Sequence, residues 1–359
     1  MSANTHSYRS QTATGLLDFA IDFADGRWHP GPATSALNDI AVNLHRTRRL
    51  QLSLGPFEPG LPLKDGLRDV NFPHLAELHL QSDAPLELRM PESPGLLRLS
   101  LSGVQPREWS PILSDRLTHL ELSSLVIPLS ELRSCLLYSQ ELTHVSLSQM
   151  AVIIDQPRVT PVPSPNLISL RLRLSDARST LTLLDMLSIS HIRHVHVALP
   201  YSPCDTPRIL ETLVHLPVHV KRLRLEGSTL VLGDGEGHYL RRLEKATPAA
   251  IQQVLQHLKT RRGLCDNVED VALDIPNLQL VASVLNSFSG TRRLHLKVAD
   301  GNALRGYVAG RHRISFPGLQ ALDIDAKRVS RITSPNVLNS FMASLDARHL
   351  KRVDGVSYR

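Results

Sequence analysis

The sequence predicts an α/β solenoid in which short parallel strands line up on a concave side and helices cover the convex side. Three observations carry this expectation. A six-residue word with apolar residues at its first, fourth and sixth places recurs a dozen times in the 359 residues. Its fourth and sixth places alternate with polar third and fifth places, the period of two that marks a half-buried strand. Measured between fourth places, the words return every 21 to 31 residues, with one step of 48, a spacing that belongs to stacked units sharing one core. Between words, Asp205-Thr206-Pro207, Thr247-Pro248 and Ser334-Pro335 each place a cap and an N1 proline before an apolar helical stripe.

Residues 1–15 are polar and patternless, and are expected to be a flexible leader before a repeat domain over 16–359. Leu17 to Phe23 alternates like a first, capping strand, and Ala36 to His45 carries a helical stripe. The words then begin at Arg48, Leu75, Leu96, Leu117, Leu142, Leu167, Ile192 and Val220. Two 21-residue steps leave room for only a short turn or 3₁₀ segment around Trp109 to Leu113. Pro157 to Pro165 reads as a stiff extended connector. An insertion over 226–265 suggests a hairpin, Thr229 to Leu232 with Tyr239 to Leu243, followed by a helix. Gly233-Asp234-Gly235-Glu236-Gly237 between them lacks the Gly-Lys-Ser/Thr of a phosphate loop and reads as a turn. Words resume at Val268, Thr291 and Leu319, with a decayed one at Leu350.

Hydrophobic residues at 42% suffice for a packed core, and no run reaches the 18 or so apolar residues of a membrane span. The start lacks a secretory pattern, and Cys135, Cys204 and Cys265 are too few and too scattered for a disulfide framework. A cytoplasmic or nuclear location is therefore expected. The net charge of +6 favours acidic partners, while 4% aromatics offer few stacking platforms for single-stranded nucleic acid.

The L-x-x-L-x-L words from Arg48 through Ile324 make the chain similar to leucine-rich-repeat proteins. Their ninth position, Asn or Cys in regular repeats, is here Asp83, Val104, Leu125, Met150, Ser175 and Pro200, so the turns leaving the strands are expected to be irregular. Irregular repeats of this kind resemble the repeat region of fungal F-box proteins. That resemblance implies substrate recognition for a cullin-type (SCF) ubiquitin ligase. Only about 16 residues precede the first expected strand, without the Leu-Pro start of an F-box. The recognition surface is thus expected to carry over, and binding of a Skp1-like adaptor is not.

Alternation points places three, five and seven of each word to the open face. There Arg171, Arg173, His194, His196, Arg222 and Arg224 are expected to crowd three adjacent strands, with Arg293 and His295 beyond the insertion. Such a basic centre suits an acidic or phosphorylated protein segment, which guanidinium groups bind in bidentate fashion. Nucleic acid or another polyanion on the same face is the alternative, and a degenerate fragment without function a third. Six histidines at these places, His119 and His144 among them, add charge below neutral pH. His191, His194 and His196 do not share a face, so no metal is expected. Cys135 falls on an apolar helical stripe, and no G-x-S-x-G elbow occurs. Neither catalysis nor a cofactor is expected.

Overall fold

The computed structural model describes residues 8–11, 15–22, 42–55, 71–156, 160–164, 166–199, 206–214, 220–260, 267–278, 286, 288–298, 301–310, 314–325, 335–346, 350 and 352–354. Where the sequence suggested one domain, the chain divides into two compact units, Met1–Ser188 and Ile189–Arg359. The expected helix over 36–45 and proline connector over 157–165 lie largely or partly outside the described residues, as do Cys204, Cys265 and the Asp205 cap.

The first unit runs β1 (Tyr8–Gln11), β2 (Leu17–Asp22), β3 (Thr47–Leu54), β4 (Glu77–Leu88), β5 (Arg98–Pro106), β6 (His119–Ser123) and β7 (Val126–Pro128). It continues through α1 (Leu129–Tyr138), β8 (His144–Ser148), β9 (Ala151–Ile153), β10 (Ser169–Arg173) and α2 (Ala177–Leu187). Its main sheet has the order β1-β2-β3-β4-β5-β6-β8-β10. From β2 onward every pair is parallel. β1 is antiparallel to β2. Tyr8–Gln11, expected to be part of a flexible leader, is therefore the edge strand, and Leu17–Asp22 is not the cap.

The words fold as their alternation dictates. Leu78 and Leu80, Leu99 and Leu101, Leu120 and Leu122, and Leu170 and Leu172 are all buried, each such side chain contributing roughly 1.5–3 kcal/mol. A tight turn precedes each word: the amides of Leu96, Leu117 and Leu142 donate to the carbonyls of Ser93, Ser114 and Ser139 at 3.1, 3.1 and 3.2 Å. These serines are buried, small enough to sit where the chain turns under the core. Each new strand is then hooked to the last one, as the amides of Thr118 and His119 both donate to Leu97 O, and those of Thr143 and His144 to Thr118 O.

After the strands, ninth-place Val104, Leu125 and Met150 are buried, so apolar packing stands where regular repeats keep an amide ladder. Ser124 and Gln149, at φ 54° and 52°, make the left-handed turns that lead into the parallel pair β7 and β9. The 21-residue step between Leu99 and Leu120 is closed by a 3₁₀ turn, Ser110–Ile112. The following 25-residue step holds α1, which buries Leu129, Leu132, Cys135 and Leu136 on one stripe. Pro128 caps α1 without a side-chain acceptor, and Asp155 substitutes, accepting from Ser130 N at 3.1 Å and from the Ser130 hydroxyl.

The second unit runs β11 (His194–Ala198), α3 (Thr206–Val214), β12 (Arg222–Glu226), β13 (Thr229–Gly233), β14 (Leu240–Glu244) and α4 (Pro248–Thr260). It ends with β15 (Asp270–Asp274), β16 (Arg293–Lys297), α5 (Gly301–Ala309), β17 (Ile314–Ser315), β18 (Ala321–Asp325), α6 (Pro335–Ser344), β19 (Leu345–Asp346) and β20 (Arg352–Asp354). The short β17 and β19 pair by themselves. The main sheet has the order β11-β14-β13-β12-β15-β16-β18-β20. β12 turns back into β13 and β13 into β14, both antiparallel, and β14 then lies parallel to β11. Two strands of the insertion therefore stand inside the sheet, between words that are consecutive in sequence. Together with the parallel words on either side, this is a leucine-rich-repeat α/β fold with an antiparallel meander spliced into its strand order.

Candidate recognition surface

That splice corrects the expected grouping of basic residues. His194 and His196 on β11 face Leu240 and Arg242 of β14, not Arg222 and Arg224 of β12, which lies two strands further on. His196 Nε2 is 3.0 Å from Glu244 Oε1, and Arg242 Nη2 is 3.1 Å from the same oxygen. His194 Nε2 lies 3.3 Å from the carbonyl of Gly237 in the hairpin turn. Arg171 and Arg173 belong to the first unit, on β10 beside Ser146 and Ser148 of β8. The six residues expected on three adjacent strands are thus divided, with two further strands between His194 and His196 on β11 and Arg222 and Arg224 on β12.

Arg242 and Glu244 were missed because in Leu240 to Glu244 (L-R-R-L-E) the two leucines stand three apart, so no period of two marks which residues face outward. Arg241 was missed for a different reason. It occupies the core place opposite Val195 and Leu232, where every true word carries an aliphatic residue, and it is fully buried. Its guanidinium donates to the carbonyls of Arg193 (3.0 Å), Leu240 (3.2 Å) and Ile189 (3.2 Å). Burial pushes its pKa down to about 10, which still leaves it cationic at neutral pH. It bolts the meander to the turn that opens the second unit.

On β12, β15, β16 and β18 the registered rows mix charges of both signs. Arg222, Asp270 and Arg293 stand side by side, and Arg224, Ala272, His295 and Asp323 form the next row. His295 is the hub: Nε2 is 3.3 Å from Asp270 Oδ1 and Nδ1 is 3.2 Å from Asp323 Oδ2. Arg222 Nε is 4.0 Å from Asp270 Oδ2, and Lys297 Nζ is 3.7 Å from Glu226 Oε2. Arg224 and Arg293 are exposed and make no ion pair with a described residue. A cavity of about 770 Å³ covers the strand starts, walled on one side by Gly235 and Glu236 of the hairpin turn and floored by Arg222, Asp270, Arg293 and His295. A smaller one of about 280 Å³, reaching Arg224, Lys297 and Asp325, adjoins it toward the strand ends.

On the open face of the first unit, pairing centres on one carboxylate. Glu77 lies between two arginines of neighbouring strands, 3.3 Å from Arg49 Nε and 3.9 Å from Arg98 Nη1. His79 Nε2 is 3.7 Å from the same carboxylate. Burial, with Arg49 beside it, lowers the His79 pKa. Burial, then His144 and Arg98, lowers that of His119. Cys135 is buried in the core of this unit, and burial with Glu131 nearby pushes its thiol up to about 12.

Among the described residues, no cluster of three or more His, Cys, Asp or Glu has the placement to hold a metal ion, and no helix is long and apolar enough to cross a membrane. No protein-family model and no curated protein matches the chain. Among solved structures, the chain is similar to an internalin of Listeria monocytogenes, with 14% identity, over 82% of this chain and 89% of that one, at a TM-score of 0.31.

Proposed function

We propose that the chain is a non-catalytic protein-recognition module, and that the open face of its second unit receives an acidic or phosphorylated segment of a partner. The observation that supports this most directly is the pair Arg224 and Arg293, exposed residues that line adjoining cavities and make no ion pair with a described residue. A guanidinium left without a carboxylate keeps its full fork of donors for an incoming carboxylate or phosphate. The test is titration of labelled glutamate-rich and phosphoserine peptides into the full chain and into its Arg224→Glu/Arg293→Glu variant. Binding weakened at least about tenfold in the variant is the expected result. Equal binding by both proteins would remove the assignment.

The same arginines suit a nucleic-acid backbone, and salt separates the two readings. Polyanion binding falls steeply with salt and without regard to sequence, whereas a peptide held in the cavities loses affinity when its sequence is scrambled. The resemblance to F-box repeat regions extends the proposal to substrate recognition in a cullin-type ligase. Its support is the repeat pattern, and co-purification with a Skp1-like adaptor tests it.

A further inference from the structure

The antiparallel meander leaves a hollow in the open face of the second unit. In the row of Arg222, register places Gly233 of β13 beside the arginine and the half-buried Leu240 of β14 beyond it. Gly233 follows the buried Leu232, so alternation turns its bare Cα to the open face. In the next row Arg224 stands between Val231 of β13 and Ala272 of β15. Neither neighbour has a side chain that can accept a hydrogen bond, so Arg224 has no carboxylate beside it in its row. Gly233, Val231, Leu240 and Ala272, with the half-buried Tyr239, line a pocket of about 200 Å³ that also touches both arginines. The hairpin turn after β13 forms one wall. It is held by the amide of Gly237, which donates to Asp234 Oδ1 at 2.8 Å, and it lies so close to β12 that a Cβ on Gly235 would stand 3.1 Å from the Lys221 side chain. Among the described residues, the one carboxylate in the lining is Asp270, which is already 3.3 Å from His295 Nε2 and 4.0 Å from Arg222 Nε.

We propose that this pocket takes one aromatic side chain of the partner segment, while an acidic or phosphorylated residue next to it in that segment pairs with Arg224. This deepens the recognition reading above and rests on it. The pocket is smaller than the roughly 300–1,000 Å³ of small-molecule sites, which suits a single large side chain. A ring gains more there than an aliphatic group of similar size. Tyr239 offers it a second ring to pack against, and the guanidinium groups of Arg222 and Arg224 are attracted to a π face. A filled pocket also keeps water from one side of Arg224, and an anion that pairs with it there is screened less than on open surface. The acid supplies charge and the ring supplies the choice of place.

The test uses the full chain and labelled peptides that differ at one place, a glutamate-rich segment with Phe, Leu or Ala at its centre, each also made with phosphoserine in place of the flanking glutamates. The Phe peptide is expected to bind about tenfold tighter than the Ala peptide, and tighter than the Leu peptide. Gly233→Ala and Gly233→Val fill the pocket by degrees. Gly233 has no positive φ, and a Cβ there meets only the Tyr239 carbonyl oxygen, at 3.5 Å, so both variants are expected to fold. They should lose the preference for Phe in that order and bind the Ala peptide as the unmodified chain does. If the Phe, Leu and Ala peptides bind the unmodified chain equally and all depend on Arg224 and Arg293, the aromatic pocket is overturned and the recognition reading stands. A Leu peptide equal to the Phe peptide, or a Phe preference that survives Gly233→Val, overturns it as well. If no peptide binds, both fall.

Discussion

The imidazole rings of His119 and His144 lie parallel on adjacent strands, with centroids 4.3 Å apart and planes 4° from each other. Their Thr-His pairs explain the stack. Thr118 Oγ1 donates to Leu97 O at 2.9 Å and so accepts from His119 Nδ1 at 2.9 Å. Thr143 Oγ1 repeats this with Thr118 O and His144 Nδ1. Each ring is anchored by the preceding threonine, and the parallel register at 144 and 119 brings the rings face to face.

This arrangement makes the first unit sensitive to acid. His119 and His79 both have pKa values lowered from 6.5, by burial first and by a neighbouring cation next. A lowered histidine binds its proton more weakly when folded than when unfolded, so stability is highest above about pH 6.5 and falls as pH drops toward the folded value. The urea midpoint should therefore decrease between about pH 7.5 and pH 5. The His79→Gln/His119→Gln variant should show a shallower decrease. An identical slope would assign the acid sensitivity elsewhere.

Arg241 should be the most costly charged side chain to truncate. Arg241→Ala leaves a cavity and orphans the buried Ile189 carbonyl, a loss of about 3 kcal/mol. Arg242→Ala, one residue along on the open face, should stay within about 0.5 kcal/mol of the unmodified chain. Denaturant melts of both proteins decide it, and comparable losses for the two would discount the buried guanidinium.

Gly103 has a positive φ of 67°, and a Cβ added there would sit 2.3 Å from the carbonyl oxygen of Ser82. The obstacle is backbone in the next strand, so no side-chain rotation relieves it. Gly103→Ala should destabilise by at least about 2 kcal/mol. The open neighbourhood of Gly237 provides the contrast: its φ is also positive, at 85°, but nothing lies within 4 Å of where a Cβ would stand, so Gly237→Ala should lose only about 1 kcal/mol from backbone conformation. Equal losses at the two glycines would show that the Ser82 contact is unimportant.

The Cys135 thiol should not react while the chain is folded. With its pKa pushed up to about 12, almost no thiolate exists near pH 8. In a Cys204→Ser/Cys265→Ser background, disulfide-exchange reagents should label the chain only as fast as it unfolds. Prompt stoichiometric labelling of folded protein would contradict the burial of this residue.

Much of this protein was legible residue by residue. The leucines at 78, 80, 99, 101, 120 and 122 announced buried strand faces because period two leaves only one way to hide them. The 21-residue step announced a 3₁₀ turn where α1 would not fit. The open-face placement of Arg222, Arg224, Arg293 and His295 followed from the same alternation. Strand order did not follow. Periodicity says which way a side chain points from its own strand and nothing about which strand lies next to it. Hydrogen bonding across the sheet made that choice, admitting β13 and β14 between β11 and β12 and burying Arg241 to secure them. The pairing of His196 with Glu244 and the separation of Arg222 from His194 are consequences of that long-range pairing. The local pattern of the chain determined the faces of its strands, and only tertiary structure decided which faces would meet.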